Sequence, residues 1–106
     1  MRIDTGVNPG DLRNVAKAAH DAEAAGYDGL WTAEAGHDPY LACALVATAT
    51  ERVSIGTNIA VAFPRSPLVH AQIAWDLQAA ARGRFILGLG TQAIITALEA
   101  LARPRG

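Results

Sequence analysis

The chain has 106 residues, about one small domain, and 51% of them are hydrophobic, so the composition predicts a packed core and excludes intrinsic disorder. Nine basic and ten acidic residues give a net charge of −1, and no basic patch points to nucleic acid or an anionic membrane as a partner. The single cysteine cannot form an intrachain disulfide, and neither a signal peptide nor a membrane-spanning apolar stretch is visible. We therefore expect a soluble, cytoplasmic protein.

The chain begins with a strand followed by a helix. Residues 2–7 predict the strand, and Asn8-Pro9 has the form of a helix cap followed by proline at the first helical position. Gly26 is the predicted stop of this helix. Its expected apolar face has helical spacing and consists of Leu12, Val15, Ala16 and Ala19.

A second unit of the same kind follows. Residues 27–33 predict a strand, residues 34–37 a polar loop, and Asp38-Pro39 repeats the cap-plus-proline pattern. A helix is expected over residues 40–50. Its expected apolar side consists of Leu41, Ala44, Leu45 and Thr48.

The third strand, residues 53–63, is a near-continuous apolar run of the kind found in strands buried on both faces of a parallel sheet. Gly56, Thr57 and Asn58 interrupt it, and glycine in a strand often marks the close approach of a ligand or of another backbone. Ser66-Pro67 then opens a helix that ends at Gly83. Its expected apolar side consists of Leu68, Ala71, Trp75 and Ala79.

The last unit is a strand over residues 84–90 and a helix over residues 93–103. The alternation predicts an α/β fold with a parallel sheet and helices outside it. Because a complete (βα)8 barrel takes roughly 250 residues, four βα units make at most a half barrel, here one domain over residues 1–106 with a divergent C-terminal helix over 93–106. A half barrel exposes strand edges, so we expect a homo-oligomer that covers them.

Ligands of parallel α/β folds bind beyond the C-terminal ends of the strands, which selects a few polar residues. Glu34 and His37 follow the second strand, where a carboxylate and an imidazole could do acid–base chemistry, although both could instead be solvated loop residues. Asn58 and Ile59 could present amide and backbone groups to a flat, polar ring, or could simply form a β-bulge.

The segment after the fourth strand, residues 88–93, fits the dinucleotide pattern G-x-G-x-x-G/A, but no strand with a ribose-binding acid follows it. It could be a tight turn, a small nucleotide-binding loop, or a cofactor-lining edge made by Gly90 and Thr91. We expect both tryptophans to be packing residues. No metal-binding motif or clustered Cys/His set occurs, so no metal site is predicted.

Four segments in order, YDGLWTAE, RVSIGTNIAVAFPRSP, QIAWDLQ and GRFILGLGTQ, resemble the N-terminal half of the luciferase-like monooxygenase family. The resemblance covers residues 1–92 and is closest to the deazaflavin-dependent oxidoreductase branch. It implies a TIM barrel that binds reduced FMN or the deazaflavin coenzyme F-420 at the C-terminal end of its strands. The implied activity is hydride transfer between this cofactor and a small organic substrate.

The same resemblance implies roles for individual residues. It places a non-prolyl cis peptide at Asn58-Ile59 against the cofactor ring, Glu34 as an acidic neighbour, and the Thr91 hydroxyl close to the ring. The chain departs from the deazaflavin branch where Ala35, rather than histidine, follows the acid. The second half of the barrel is also absent from the sequence, so the alternative is a catalytically inactive half barrel that self-associates as a scaffold.

Overall fold

Strands and helices alternate along the part of the chain that the computed structural model describes, residues 1–34, 36–62 and 65–90. The predicted last helix and Thr91 lie outside these residues. The helices are α1 (Leu12–Ala24), α2 (Pro39–Ala49) and α3 (Pro67–Ala80). The strands are β1 (Asp4–Gly6), β2 (Gly29–Thr32), β3 (Ser54–Thr57), β4 (Ala60–Val61), β5 (Phe85–Ile86) and β6 (Leu89–Gly90).

The main sheet has four parallel strands in the order β1-β2-β3-β5, which confirms the predicted parallel α/β arrangement. Leu30 stands at its centre, paired with Thr5 on one side and Ile55 on the other. Strands β4 and β6 form a second, two-stranded parallel sheet. The predicted third and fourth strands are therefore each split in two, which the continuous apolar runs did not predict.

The split is fixed by contacts between the two interrupted strands. The Thr57 hydroxyl donates to the Gly88 carbonyl oxygen at 2.8 Å and accepts from the Gly88 N–H at 3.0 Å. A Cβ on residue 88 would collide with the Thr57 carbonyl oxygen, so only glycine fits there. Just beyond Thr57, the Asn58-Ile59 peptide bond is cis, at the position that the family resemblance indicated.

The two faces of the main sheet have different surroundings. Side chains of Leu30 and Ile55 are fully buried against the helices, where they join a core that includes Val15 of α1 and Val46 of α2. The opposite face is rich in glycine and carries Trp31, whose ring fills the space where a Cβ at Gly56 would lie. The helices therefore cover one side of the sheet and leave the other side to the site described below.

Helix caps follow the sequence predictions at two of three places. The Asp38 carboxylate accepts from the Tyr40 N–H at 2.7 Å, and the Ser66 hydroxyl accepts from the Val69 N–H at 3.2 Å. The first prediction was wrong, because the Asn8 side chain accepts from the Gly10 N–H and closes a turn. Helix α1 consequently begins three residues later than Pro9.

The predicted apolar faces of α2 and α3 were also wrong. Leu41 and Trp75, which were expected to be buried, are 56% and 79% exposed. Helix α2 instead buries Tyr40, Ala42, Cys43, Val46 and Ala47, and α3 buries His70 and Leu77. In α1, Val15 and Ala19 are buried as predicted, whereas Leu12 is exposed. None of the helices in the described part of the chain is long and apolar enough to cross a membrane.

Candidate functional site

An open groove of about 460 Å³ lies at the C-terminal ends of β1 and β2. This is the edge of the sheet at which parallel α/β proteins bind ligands. Residues from both strands, and Asn58 from the interruption after β3, contribute to the groove. Its lining includes Gly6, Val7, Pro9, Trp31, Ala33 and Asn58.

Trp31 gives the groove a flat apolar wall. Its indole Nε1–H donates to an oxygen of Asp4 at 3.0 Å, and the Asp4 carboxylate also pairs with Arg2 at 3.1 Å. The ring covers Gly56 on the helix-free face of the sheet. Trp31 is therefore a packing residue, as predicted, that also lines the groove, which was not predicted. The signal in the sequence was the spacing: Trp31 follows Gly29 by two residues, so both lie on the same face of β2.

The segment 58–62 is hydrogen-bonded from both sides. On one side the Glu34 N–H donates to the Ile59 carbonyl oxygen at 3.1 Å. On the other side the N–H groups of Ala60 and Ala62 donate to the carbonyl oxygens of Gly88 and Gly90, each at 2.8 Å. Together with the Asn58 N–H, which donates to the Thr32 carbonyl oxygen at 2.7 Å, these bonds fix where Asn58 enters the groove.

Three of the four residues predicted to bind a cofactor come together at this segment. The Ile59 side chain packs where a Cβ at Gly90 would lie, next to Asn58, while Thr91 is outside the described residues. Gly88 and Gly90 are covered by Thr57 and Ile59. These two glycines therefore allow close packing between neighbouring strands. This packing argues against an open dinucleotide-binding loop at this position.

Glu34 is neither solvated nor free. One carboxylate oxygen accepts from the Val61 N–H at 2.8 Å and from Arg65 Nη1 at 2.9 Å, and the other accepts from Arg65 Nη2 at 3.3 Å. The side chains of Glu34 and Arg65 are only 18% and 13% exposed. The solvated-loop alternative considered for Glu34 was therefore wrong.

Arg65 is a site residue that the sequence analysis missed. Its guanidinium also lies 3.5 Å from a carboxylate oxygen of Asp38 and 5.0 Å from the ring centre of Tyr40. Burial lowers the pKa of Arg65, but the hydrogen bond and charge of Glu34, with Asp38, outweigh it and leave this pKa raised. No local pattern in the sequence marks this residue, because its partner Glu34 is 31 positions away along the chain.

Two of the three histidines have defined surroundings near this site. His70 is 3% exposed, and its Nδ1 lies 2.6 Å from the Tyr40 hydroxyl while its Nε2 lies 3.3 Å from the Ala62 carbonyl oxygen. Because a carbonyl can only accept, these contacts fit the neutral tautomer with its proton on Nε2, in which Nδ1 accepts from the Tyr40 hydroxyl. His37 is exposed, and its ring lies beside Gly10, so Glu34 and His37 face different partners.

Cys43 is a structural residue. Burial, reinforced by the charge of Asp38 and only partly opposed by a hydrogen bond with Thr32, raises the pKa of its thiol to about 11. A thiol with this pKa is almost entirely protonated at neutral pH and is a poor nucleophile. Among residues 1–34, 36–62 and 65–90, no cluster of three or more metal-ligating side chains occurs.

The groove suits a flat ring that has a polar edge. The Trp31 indole supplies an apolar wall, and Gly6 leaves the space above β1 open, since only one atom lies within 4 Å of where its Cβ would be. Within the described part of the chain, the side-chain amide of Asn58 makes no hydrogen bond and is exposed at the groove. It is therefore available to pair with a ligand.

Comparison with known proteins identifies the family. The model of the luciferase-like monooxygenase family matches residues 1–100. An uncharacterized protein of Mycobacterium tuberculosis strain H37Rv, Rv1360, is 51% identical over 92 residues, which are 87% of this chain and 27% of the relative. The chain thus spans about a quarter of the length of the curated relatives it matches.

Two solved structures have the same fold. The coenzyme F-420-dependent tetrahydromethanopterin reductase of Methanopyrus kandleri superposes with a TM-score of 0.78 at 23% identity, over 92% of this chain and 30% of that one. The oxygenating constituent of 3,6-diketocamphane monooxygenase from Pseudomonas putida, in complex with FMN, superposes with a TM-score of 0.73 at 22% identity, over 89% of this chain and 32% of that one. The four parallel strands with their helices are part of a TIM barrel, and the chain belongs to the luciferase-like monooxygenase family.

Proposed function

We propose that this chain forms the part of a flavin- or deazaflavin-dependent oxidoreductase or monooxygenase that contains the cofactor-binding groove. The cofactor is FMN or coenzyme F-420, and its ring lies against Trp31 and Asn58. When bound, the cofactor supplies hydride transfer to or from a small organic substrate, or reaction with oxygen. The protein's part is to bind and orient the ring and to exclude water from it.

The observation that carries this proposal is the groove at the C-terminal ends of β1 and β2, with a flat indole wall and an available amide at its rim. Family membership supports it, as do the two superposed structures, one of a coenzyme F-420-dependent reductase and one of a monooxygenase in complex with FMN. The pattern of one apolar wall with few polar groups is typical of small-molecule sites.

Individual residues would have distinct tasks. Asn58 and Ile59 would back the ring, and Gly90 would lie on the neighbouring side. A hydrogen bond from the Thr91 hydroxyl to the ring is expected from the family resemblance alone. His37, exposed at the same end of the sheet, is the better candidate for moving a proton, because both carboxylate oxygens of Glu34 already accept hydrogen bonds. Glu34 would remain a polar neighbour of the site.

Titration with FMN and with coenzyme F-420 tests this function, and the chain contains its own control. Its two tryptophans are Trp31, at the groove, and Trp75, on the outer surface of α3. We expect cofactor to quench the emission of Trp75→Phe, which retains Trp31, and to leave the emission of Trp31→Phe nearly unchanged. The absence of saturable binding of either cofactor, whatever the oligomeric state, would overturn the proposal.

A second candidate function is favoured by the edges of the sheet. Within the described residues, β1 pairs only with β2, and β5 pairs only with β3, so both outer strands offer unpaired backbone groups. We propose that a second copy of the chain covers these edges, as a self-associating scaffold if no cofactor binds. Size-exclusion chromatography with light scattering tests this, and a well-folded monomer at all concentrations would contradict it.

A further inference from the structure

Val61 has both of its backbone groups bound by one ion pair. Its N–H donates to the Glu34 carboxylate at 2.8 Å, and its carbonyl oxygen accepts from Arg65 Nη1 at 3.3 Å. The same Nη1 donates to Glu34 at 2.9 Å. Strand β2 ends at Thr32, so it offers no backbone carbonyl to the Val61 N–H. The Glu34 carboxylate accepts this hydrogen bond instead.

This arrangement determines where segment 58–62 lies. The N–H groups of Ala60 and Ala62 attach one side of the segment to the Gly88–Gly90 strand, and the Glu34–Arg65 pair attaches the other side. If the pair were broken, Val61 would lose both of its contacts, and the side facing β2 would keep two bonds at the start of the segment: from the Asn58 N–H to the Thr32 carbonyl oxygen at 2.7 Å, and from the Glu34 N–H to the Ile59 carbonyl oxygen at 3.1 Å. Asn58 would then be held at its own N–H, while the chain that follows it would be less firmly fixed beside the groove.

Arg65 is itself held in one orientation. Its second nitrogen lies 3.3 Å from the other oxygen of Glu34 and 3.5 Å from Asp38, and its guanidinium plane lies over the Tyr40 ring. A planar fork with two parallel donors makes these contacts together, and a lysine ammonium cannot reproduce them. The position therefore requires arginine and not merely a positive charge.

We propose that Arg65 is a positioning residue for the cofactor groove, acting through Glu34 to hold Val61 and thereby to orient Asn58 toward the ring. This inference rests on the proposed function and assigns Glu34 a role in holding the backbone, not in moving a proton. It predicts that Arg65 and Glu34 work as one unit, although neither touches the groove wall formed by Trp31.

The test compares Arg65→Met, Arg65→Lys, Glu34→Gln and the double variant Glu34→Gln/Arg65→Met, with Arg13→Met, an exposed arginine of α1, as the control. The first measurement is amide hydrogen exchange of Val61 by NMR. We expect Glu34→Gln, which replaces the charged acceptor of the Val61 N–H, to accelerate it by roughly 10- to 100-fold, the range for losing a hydrogen bond to a charged group, and Arg65→Met, which leaves that carboxylate without its partner, to accelerate it as well. Arg65→Lys should fall between Arg65→Met and wild type, and Arg13→Met should match wild type.

The second measurement is the dissociation constant for FMN and for coenzyme F-420. We expect Arg65→Met and Glu34→Gln to weaken binding by similar factors, and the double variant to be no weaker than the worse single variant, which shows that the two residues act together. Unchanged Val61 exchange in Arg65→Met would overturn the inference, as would faster exchange with unaltered cofactor affinity. If wild type binds neither cofactor, the proposed function fails, and Val61 exchange still decides whether Arg65 holds the segment.

Discussion

Glu23 is the residue that ties the stability of this fold most directly to pH. Its carboxylate accepts hydrogen bonds from three consecutive backbone N–H groups, those of Glu51 at 3.1 Å, Arg52 at 2.7 Å and Val53 at 3.0 Å. The bonds join the end of α1 to the start of β3. Burial raises the pKa of Glu23, but these hydrogen bonds together lower it by more than burial raises it. The pKa is therefore below the ordinary value of 4.5.

A lowered pKa stabilises the folded state only while the carboxylate is ionised. The contribution of Glu23 is therefore complete above pH 4.5, the value expected for the unfolded chain, and is lost as the pH falls through the lower folded-state pKa. We predict that Glu23→Gln is less stable than wild type at pH 7 and that the difference shrinks toward pH 3. Urea unfolding across this range measures it, with the exposed Asp21→Asn as the control. A difference that stays constant with pH would contradict the prediction.

At the residue scale, local chain properties mark some positions of the site and not others. A glycine and two polar residues inside an apolar run singled out Asn58, which the structure places at the groove, although the break between β3 and β4 was not predicted. The pairing of Glu34 with Arg65 could not be predicted in this way. The two residues are 31 positions apart, and their contact depends on the register between β2 and the strand after the interruption.

At the scale of elements, the strands were predictable and the helix faces were not. Helix α2 reads PYLACALVATA, with apolar or small residues at almost every position, so several faces are equally apolar and periodicity cannot choose among them. Helix α3 has the same problem, which is why Trp75 was expected to be buried and is exposed. The buried faces are set by where each helix leaves its strand, which is a property of the whole fold.

Arg84 links three elements, and among the described residues it has no acidic partner. Its guanidinium donates to the carbonyl oxygens of Ala47 and Thr50 at the end of α2, at 3.1 and 3.0 Å, and to that of Val53 at 3.0 Å. Its Nε donates to the Ala81 carbonyl oxygen after α3, at 2.8 Å. Positive charge at the C-terminal end of a helix is favourable, because the last carbonyls have no partner within the helix.

We predict that Arg84→Met lowers the free energy of unfolding by about 2–3 kcal/mol, since several carbonyls lose their donor at once. Arg84→Lys should lose about 1–2 kcal/mol, because an ammonium retains the charge but offers three donors without the planar fork. Urea unfolding measures both, and the exposed Arg13→Met should stay within about 0.5 kcal/mol of wild type. If Arg84→Met matched Arg13→Met, the role assigned to these bonds would be wrong.

At the scale of the whole molecule, the hydrophobic core and the groove lie on opposite faces of one sheet. The helices bury the side of β2 and β3 that carries Leu30 and Ile55, and this packing produces the core. The other side, with Gly6 and Trp31, faces the groove. Alternating strands and helices in the sequence were sufficient to predict helices packed outside a parallel sheet, and the rule that such folds bind ligands beyond the C-terminal ends of their strands selected the edge at which the groove lies.

The separation of the two faces leads to a test at Gly6, where a side chain can be added without disturbing the core. Only the Trp31 carbonyl oxygen, at 3.8 Å, lies within 4 Å of a Cβ at this position, and the space beyond belongs to the groove. We predict that Gly6→Ala and Gly6→Leu keep the free energy of unfolding within about 0.5 kcal/mol of wild type or raise it slightly, since glycine is the least favourable strand residue.

Cofactor affinity should respond in the opposite way. Gly6→Leu should weaken binding of FMN or coenzyme F-420 by at least roughly tenfold, because overfilling a packed site costs about 1–3 kcal/mol, and Gly6→Ala should have a smaller effect. Thermal unfolding and the tryptophan titration, run on the same samples, measure the two quantities together. A Gly6→Leu variant that binds cofactor as tightly as wild type would show that the ring does not lie over β1. A variant that fails to fold would show that this face of the sheet is covered in the folded protein. That result would contradict the assignment of one face to the core and the other to the groove.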